Sequence, residues 1–302
     1  MMKQFLQTLF IFLIPALLYC VFGVFILPHR LVISNGPNTQ QQIDRSFEDV
    51  VKEDYELLIL GNSRCYRGIN PAILSVKAYN FSHDNDSYNQ QYYKLQYLLN
   101  KRKKIACLVL GVDYFEFNVL SNSRNYAYAD YLGKDYERDY KDKVWELKLK
   151  HLLENLNPKQ LSLLKKSSVK LPFQRENGQY IRYGTAQESD TIHRDIKRLK
   201  IQEEYFHKII SLCRENGIKV FLVMPPVRQN ELKSYTKDEI NEFNAFINRS
   251  IDHKTAVYWN FSEDSSFTTK DYTDITHLNE GAADRFSKML DDSIKSYIAG
   301  FK

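Results

Sequence analysis

The chain has 302 residues, a formal net charge of +5, and 43% apolar and 26% charged residues. These are globular proportions, which exclude a collagen-like or wholly disordered chain. A charge of +5 is too mild to imply nucleic acid, and the densest basic run (Lys101, Arg102, Lys103, Lys104) reads as a solvated turn with no nucleic-acid motif around it. The four cysteines, Cys20, Cys65, Cys107 and Cys213, contain no C-x-x-C pair, which argues against a disulfide framework and a Cys-based metal site; no metal or cofactor is expected.

Leu9 to Leu27 is an uncharged apolar run, long enough to cross the hydrocarbon core of a bilayer. Pro15 and Gly23 are tolerated in such a helix. A cleaved signal peptide is the competing reading, but it wants a shorter apolar region and small residues at a cleavage site. Tyr19 before Cys20 argues against a lipoprotein signal. Residues 1–30 are therefore expected to be an uncleaved transmembrane anchor. Lys3 on one flank and His29 with Arg30 on the other nearly balance, so charge does not set the orientation.

Residues 31–54 are polar, with Asn35-Gly36-Pro37-Asn38 and a glutamine run, and read as a linker. From residue 55 onward, short apolar runs alternate with helical patterns. Strands are expected at Leu57–Leu60, Val76–Asn80, Ile105–Leu110, Ile218–Met224 and Ala256–Phe261. Helices are expected at Ser87–Asn100, Ile201–Asn216, Glu239–Ser250 and Asn279–Ile298. The alternation implies crossovers and a mainly parallel sheet, a flavodoxin-like three-layer α/β fold over 55–302. Residues of about 115–195 interrupt it as an insertion, with helical stretches near 138–154 and 158–167. Long inserts on the ligand side of such folds usually shape substrate binding.

Parallel sheets put ligands beyond the carboxyl ends of their strands. Ser63 directly follows the first strand, in Gly61-Asn62-Ser63-Arg64. A serine on that turn presents its hydroxyl and its amide, but it needs a base to become a nucleophile. A turn or N-cap serine is the plainer alternative. Asp274-Ile275-Thr276-His277 supplies the complement. An Asp three residues before a His can hold one ring nitrogen and leave the other for the serine proton.

Taken together these segments resemble the SGNH (GDSL-type) hydrolase superfamily, in Leu57-Leu58-Ile59-Leu60-Gly61-Asn62-Ser63 and Asp274-x-x-His277. More narrowly, with Asn80-Phe81-Ser82, Pro225-Pro226, Leu278-Asn279-Glu280-Gly281-Ala282 and the N-terminal anchor, the chain is similar to membrane-anchored DltD-like and alginate-O-acetylation-like proteins. The resemblance covers roughly residues 55–112 and 200–298. It implies a triad of Ser63, Asp274 and His277 in an extracytoplasmic domain. It also implies O-acyl transfer to a cell-envelope glycan or polyol polymer, and a membrane-bound O-acyltransferase (MBOAT) as a partner. A deacylase with the same triad, or a non-catalytic binding partner, are the alternatives.

Two family features have no counterpart: the second-block glycine, and the third-block asparagine where Gly111-Val112-Asp113 stands. Asn85 is the candidate replacement oxyanion donor. Arg64, Asp113 and Arg228, each just past a strand end, are candidate substrate contacts, with salt-bridged or solvated roles as the plainer reading.

Overall fold

A strand covered on both faces reads as an unbroken apolar run, and Leu57–Leu60 (β1) is one, with all four residues buried. The computed structural model describes residues 2–27, 39–121, 124–139, 143–158, 161, 176–187 and 196–299. Parallel neighbours flank β1: Ala78–Asn80 (β2) on one side and Cys107–Gly111 (β3) on the other. Lys219–Met224 (β4) and Ala256–Asn260 (β5) continue the sheet, again in parallel. The order β2-β1-β3-β4-β5 is the flavodoxin-like one, and its topological switch point lies between β1 and β3.

The helices follow in chain order: Met2–Val21 (α1), Thr39–Lys52 (α2), Ser63–Gly68 (α3), Tyr88–Asn100 (α4), Asn125–Leu132 (α5), Val144–Asn155 (α6), Lys200–Glu215 (α7), Lys237–Arg249 (α8) and Glu280–Ala299 (α9). Leu57, Ile59, Val109, Phe221 and Val223 face one way and pack with Phe286, Leu290 and Ile294 of α9. Alternation turns Leu58, Leu108 and Val220 to the other face, where α4 and α7 pack through Tyr88 against Phe206. Each such fully buried side chain contributes about 1.5–3 kcal/mol relative to exposure. The result is the expected helix–sheet–helix layering.

The chain divides into two compact units, Met1–Arg45 with Asn122–Leu171, and Ser46–Ser121 with Pro172–Lys302. The second holds the sheet. The first holds α1, continued by a π-helical turn at Phe22–Ile26, together with α5 and α6. The flanks of the expected insertion, 115–121 and 176–187, lie in the sheet-bearing unit.

The segment expected as a linker contains α2. Its Ile43, Phe47 and Val50, spaced i, i+4, i+7, are all buried, a stripe too narrow to show in a polar composition. Asn35-Gly36-Pro37-Asn38, His29, Arg30 and most of the expected 158–167 helix fall outside the described residues.

Candidate active site

At the switch point, Gly61, just past β1, and Gly111, the last residue of β3, lie side by side, with Cys65 packed against both. A Cβ on Gly61 would come within 2.7 Å of Cys65 Sγ, and one on Gly111 within 2.5 Å. Close approach, not backbone conformation, is what requires glycine at both positions. Asn62 then caps α3, its side-chain oxygen accepting from the Arg64 amide at 2.9 Å. Ser63 is the first residue of that helix and half-exposed. Its amide is one of the leading N–H groups that no helical carbonyl reaches.

From the far end of the chain comes the loop 272–279, tied to itself by a bridge between Tyr272 and Leu278. Asp274 accepts from the amides of Thr276 and His277, both at 2.9 Å, and from His277 Nδ1 at 2.8 Å. A carboxylate only accepts, so Nδ1 carries the hydrogen and Nε2 is left as an acceptor. Ser63 Oγ lies 2.8 Å from that Nε2. The three side chains form one continuous hydrogen-bonded line, and all three are part-exposed.

The electrostatics suit a neutral imidazole. Burial pushes the His277 pKa down and outweighs the upward pull of Asp274; the Arg67 charge adds to the lowering. For Asp274, burial works upward, but the hydrogen bonds and charge of His277 and the two amides outweigh it, so its carboxyl sits well below the usual range.

Arg67 is one turn after Ser63 and so on the same face of α3. It donates to Asp84 Oδ2 at 2.5 Å and lies 5.0 Å from the centre of the Tyr180 ring. Arg182 forms an ion pair with Asp274 at 3.6 Å. The 176–187 segment is pinned here: Tyr180 N–H donates to Tyr66 O at 3.1 Å, Gln179 donates to Arg67 O at 2.8 Å, and Ala186 N–H donates to Tyr272 O at 2.6 Å. Sequence reasoning missed Arg67, Tyr180 and Arg182. The i+4 spacing from Ser63 pointed to the first, but nothing local marked the other two.

Arg64, Asp113 and Arg228, the candidate substrate contacts, are buried at 3%, 1% and 1% exposure, and for Arg64 and Asp113 the plainer salt-bridged role is the one found. Arg64 Nε pairs with Asp113 at 2.8 Å and its Nη2 with both oxygens of Glu231 at 2.6 Å. A residue next to Ser63 on a helix points about 100° away from it, and here that direction is the interior. Arg228 donates to the Gln187 carbonyl at 2.8 Å. Glu116 joins the buried acids; burial and then the Asp113 charge push its pKa well up, against the hydrogen bond from Gln91. Asn85 is exposed at a turn with φ of 60°, a left-handed conformation that asparagine tolerates.

A second serine–histidine contact, Ser46 Oγ to His83 Nε2 at 2.8 Å, has the opposite chemistry. Lys94 donates to His83 Nδ1 at 2.8 Å, to Phe81 O at 2.9 Å and to Asp86 at 2.5 Å. With Nδ1 accepting, Nε2 carries the hydrogen and donates to Ser46, so this histidine cannot deprotonate its serine. Both residues are buried. Among the described residues no cluster of His, Cys, Asp or Glu is arranged to hold a metal.

A protein-family model described as "Protein of unknown function (DUF1574)" matches residues 164–292, less than half of the chain; it includes Asp274 and His277 but not Ser63. No curated protein matches. Among solved structures, one described as a "putative acylhydrolase" from Bacteroides fragilis NCTC 9343 is 13% identical, covers 86% of this chain and 97% of its own, and aligns with a TM-score of 0.39.

Proposed function

We propose that the chain is an SGNH-type serine esterase or O-acyltransferase, with Ser63 as nucleophile, His277 as base and Asp274 as its orienting partner. What carries the proposal is the 2.8 Å approach of His277 Nε2 to Ser63 Oγ, with Asp274 held on the opposite ring nitrogen. As Ser63 Oγ attacks an ester or thioester carbonyl, its proton passes to His277 Nε2 and the C=O electron pair moves onto oxygen. Collapse of the tetrahedral intermediate expels the alcohol or thiol, protonated by His277, and leaves an acyl-Ser63. A second hydroxyl, from a sugar, a polyol or water, gives its proton to His277 and attacks the acyl carbonyl; the new intermediate expels Ser63 Oγ, which takes that proton from His277 and restores the free serine. The Ser63 amide is the oxyanion donor in this scheme.

The N-terminal helix from Met2 to Ile26 is long and apolar enough to cross a membrane, a test that a signal sequence also passes. We read it as an anchor that holds the catalytic unit outside the cytoplasm. The acceptor in this reading is a cell-envelope glycan or polyol polymer, and an MBOAT-type acyltransferase is the partner that supplies acyl groups. A deacylase would use the same three residues.

Fluorophosphonate labelling of wild type, Ser63→Ala and His277→Ala tests the chemistry. Labelling of wild type alone is expected; equal labelling of Ser63→Ala would end the proposal. Product analysis with and without an added glycan acceptor separates transfer from hydrolysis.

A further inference from the structure

Outside α1 and its π-turn, the exposed large apolar residues concentrate in one place among the described residues. Trp145, Leu149, Leu152 and Leu153 lie on α6, with Trp145 59% and Leu153 56% exposed. Their spacing, i, i+4, i+7, i+8, is a single helical face. The other faces of α6 are accounted for. Val144, Leu147 and His151 are half-buried, His151 stacks on Tyr126 of α5 at 4.5 Å, and Glu146, Lys150 and Glu154 border the stripe as a polar edge. A soluble helix would not leave a tryptophan and three leucines together in water.

The neighbour of α6 identifies what covers that face. Within the same compact unit, α6 packs against the π-turn that ends the apolar N-terminal helix, and Tyr19 donates its hydroxyl hydrogen to Leu156 O at 2.7 Å. Gly23 and Leu27 are buried, unlike most of that helix. Tyr19 to Leu27 is a rise of about 12 Å, at about 1.5 Å per residue. The C-terminal end of α6, next to Leu152 and Leu153 of the stripe, is therefore held beside the last turns of the span. An interfacial helix settles at that level, with its apolar face about 5–10 Å into the headgroup–acyl boundary and its charged edge toward the headgroups.

We propose that α6 is an interfacial membrane helix, lying on the bilayer with Trp145, Leu149, Leu152 and Leu153 among the outer acyl segments. This rests on the reading of the N-terminal helix as an anchor. It adds a second, lateral attachment beside the span, which would restrict rotation of the first unit about the anchor.

The full chain reconstituted in phosphatidylcholine–phosphatidylglycerol vesicles tests it. With Trp259→Phe, Trp145 is the sole tryptophan. Its emission is expected to shift to the blue and to be lost to lipids brominated near the headgroup, much less to lipids brominated at the chain ends. The wild-type minus Trp145→Phe difference gives the same reading if Trp259→Phe misfolds. Cys20, exposed on the bare helix, reports the span independently. Its shielding from a water-soluble maleimide, located by peptide mapping, shows insertion. Shielded Cys20 with unquenched Trp145 overturns the proposal and leaves the stripe to a protein partner. Labelled Cys20 overturns the anchor reading and the proposal together.

Discussion

Asp274 binds His277 twice, through the ring Nδ1 at 2.8 Å and through the backbone amide at 2.9 Å. The carboxylate that sets the tautomer of the imidazole also folds the turn that carries it. Orientation and local backbone shape are thus one interaction, and a change at Asp274 disturbs both.

Ser63→Ala and His277→Ala are each expected to lower kcat of the esterase reaction by about 10⁴-fold or more, since members of such a triad act as a unit. Asp274→Asn should cost on the order of 10⁴-fold by presenting the wrong tautomer. Hydrolysis of an activated ester, beside circular dichroism of each variant, checks this. Full activity in any folded variant would contradict the assigned roles.

In the proposed scheme His277 reacts in its neutral form, and its pKa in the fold is below the ordinary 6.5. Activity should therefore hold through neutral pH and fall only as pH drops through a midpoint below that value. The same depression means the unfolded state binds the extra proton first, so His277 contributes stability above its unfolded pKa that is lost as pH falls. Arg67→Gln removes a charge that disfavours the imidazolium and leaves Asp84, which favours it. The acid limb of kcat/KM should move to higher pH in that variant. A limb that does not move would remove Arg67 from the electrostatics of the site.

Gly111→Ala would drive a methyl to 2.5 Å from Cys65 Sγ. Overpacking of this kind costs about 1–3 kcal/mol. In a Cys65→Ala background the obstructing sulfur is gone, so the same glycine change should cost clearly less. Urea denaturation of the four members of this cycle measures the coupling. Additive costs would mean that the glycine serves some other purpose.

Arg64 pairs with both Asp113 and Glu231 inside the protein. Arg64→Met removes the guanidinium that pairs with two buried carboxylates, a loss of about 3–5 kcal/mol. Arg64→Lys should recover only part, because a point ammonium cannot reproduce the forked contact to both acids. Chemical denaturation reads the stability directly. Variants as stable as wild type would show that the cluster is not what holds α3 in position.

Much of the architecture was legible in the chain. Runs such as Leu57–Leu60 and Val220–Met224 are apolar throughout because both faces of the sheet are covered, and strand ends agree with the expected ones to within two residues. The helix at α2 escaped notice because only three buried apolar positions mark it among glutamines and acids. Side-chain direction was harder still. Ser63 and Arg64 are adjacent in sequence, yet one reaches the solvent-facing edge and the other the interior.

Local patterning alone determined the alternating α/β character, the apolar N-terminal helix and the presence of a serine just after the first strand and an Asp-x-x-His segment beyond the last, because hydrophobic period and turn chemistry are written in neighbouring residues. Tertiary structure decided the rest: that Ser63 and His277, 214 positions apart, meet at 2.8 Å, that Arg64 and Asp113 neutralise each other out of water, and that Arg67, Tyr180 and Arg182 join the site. Those outcomes depend on strand order and on which way each turn faces, and both are settled only when the whole chain packs.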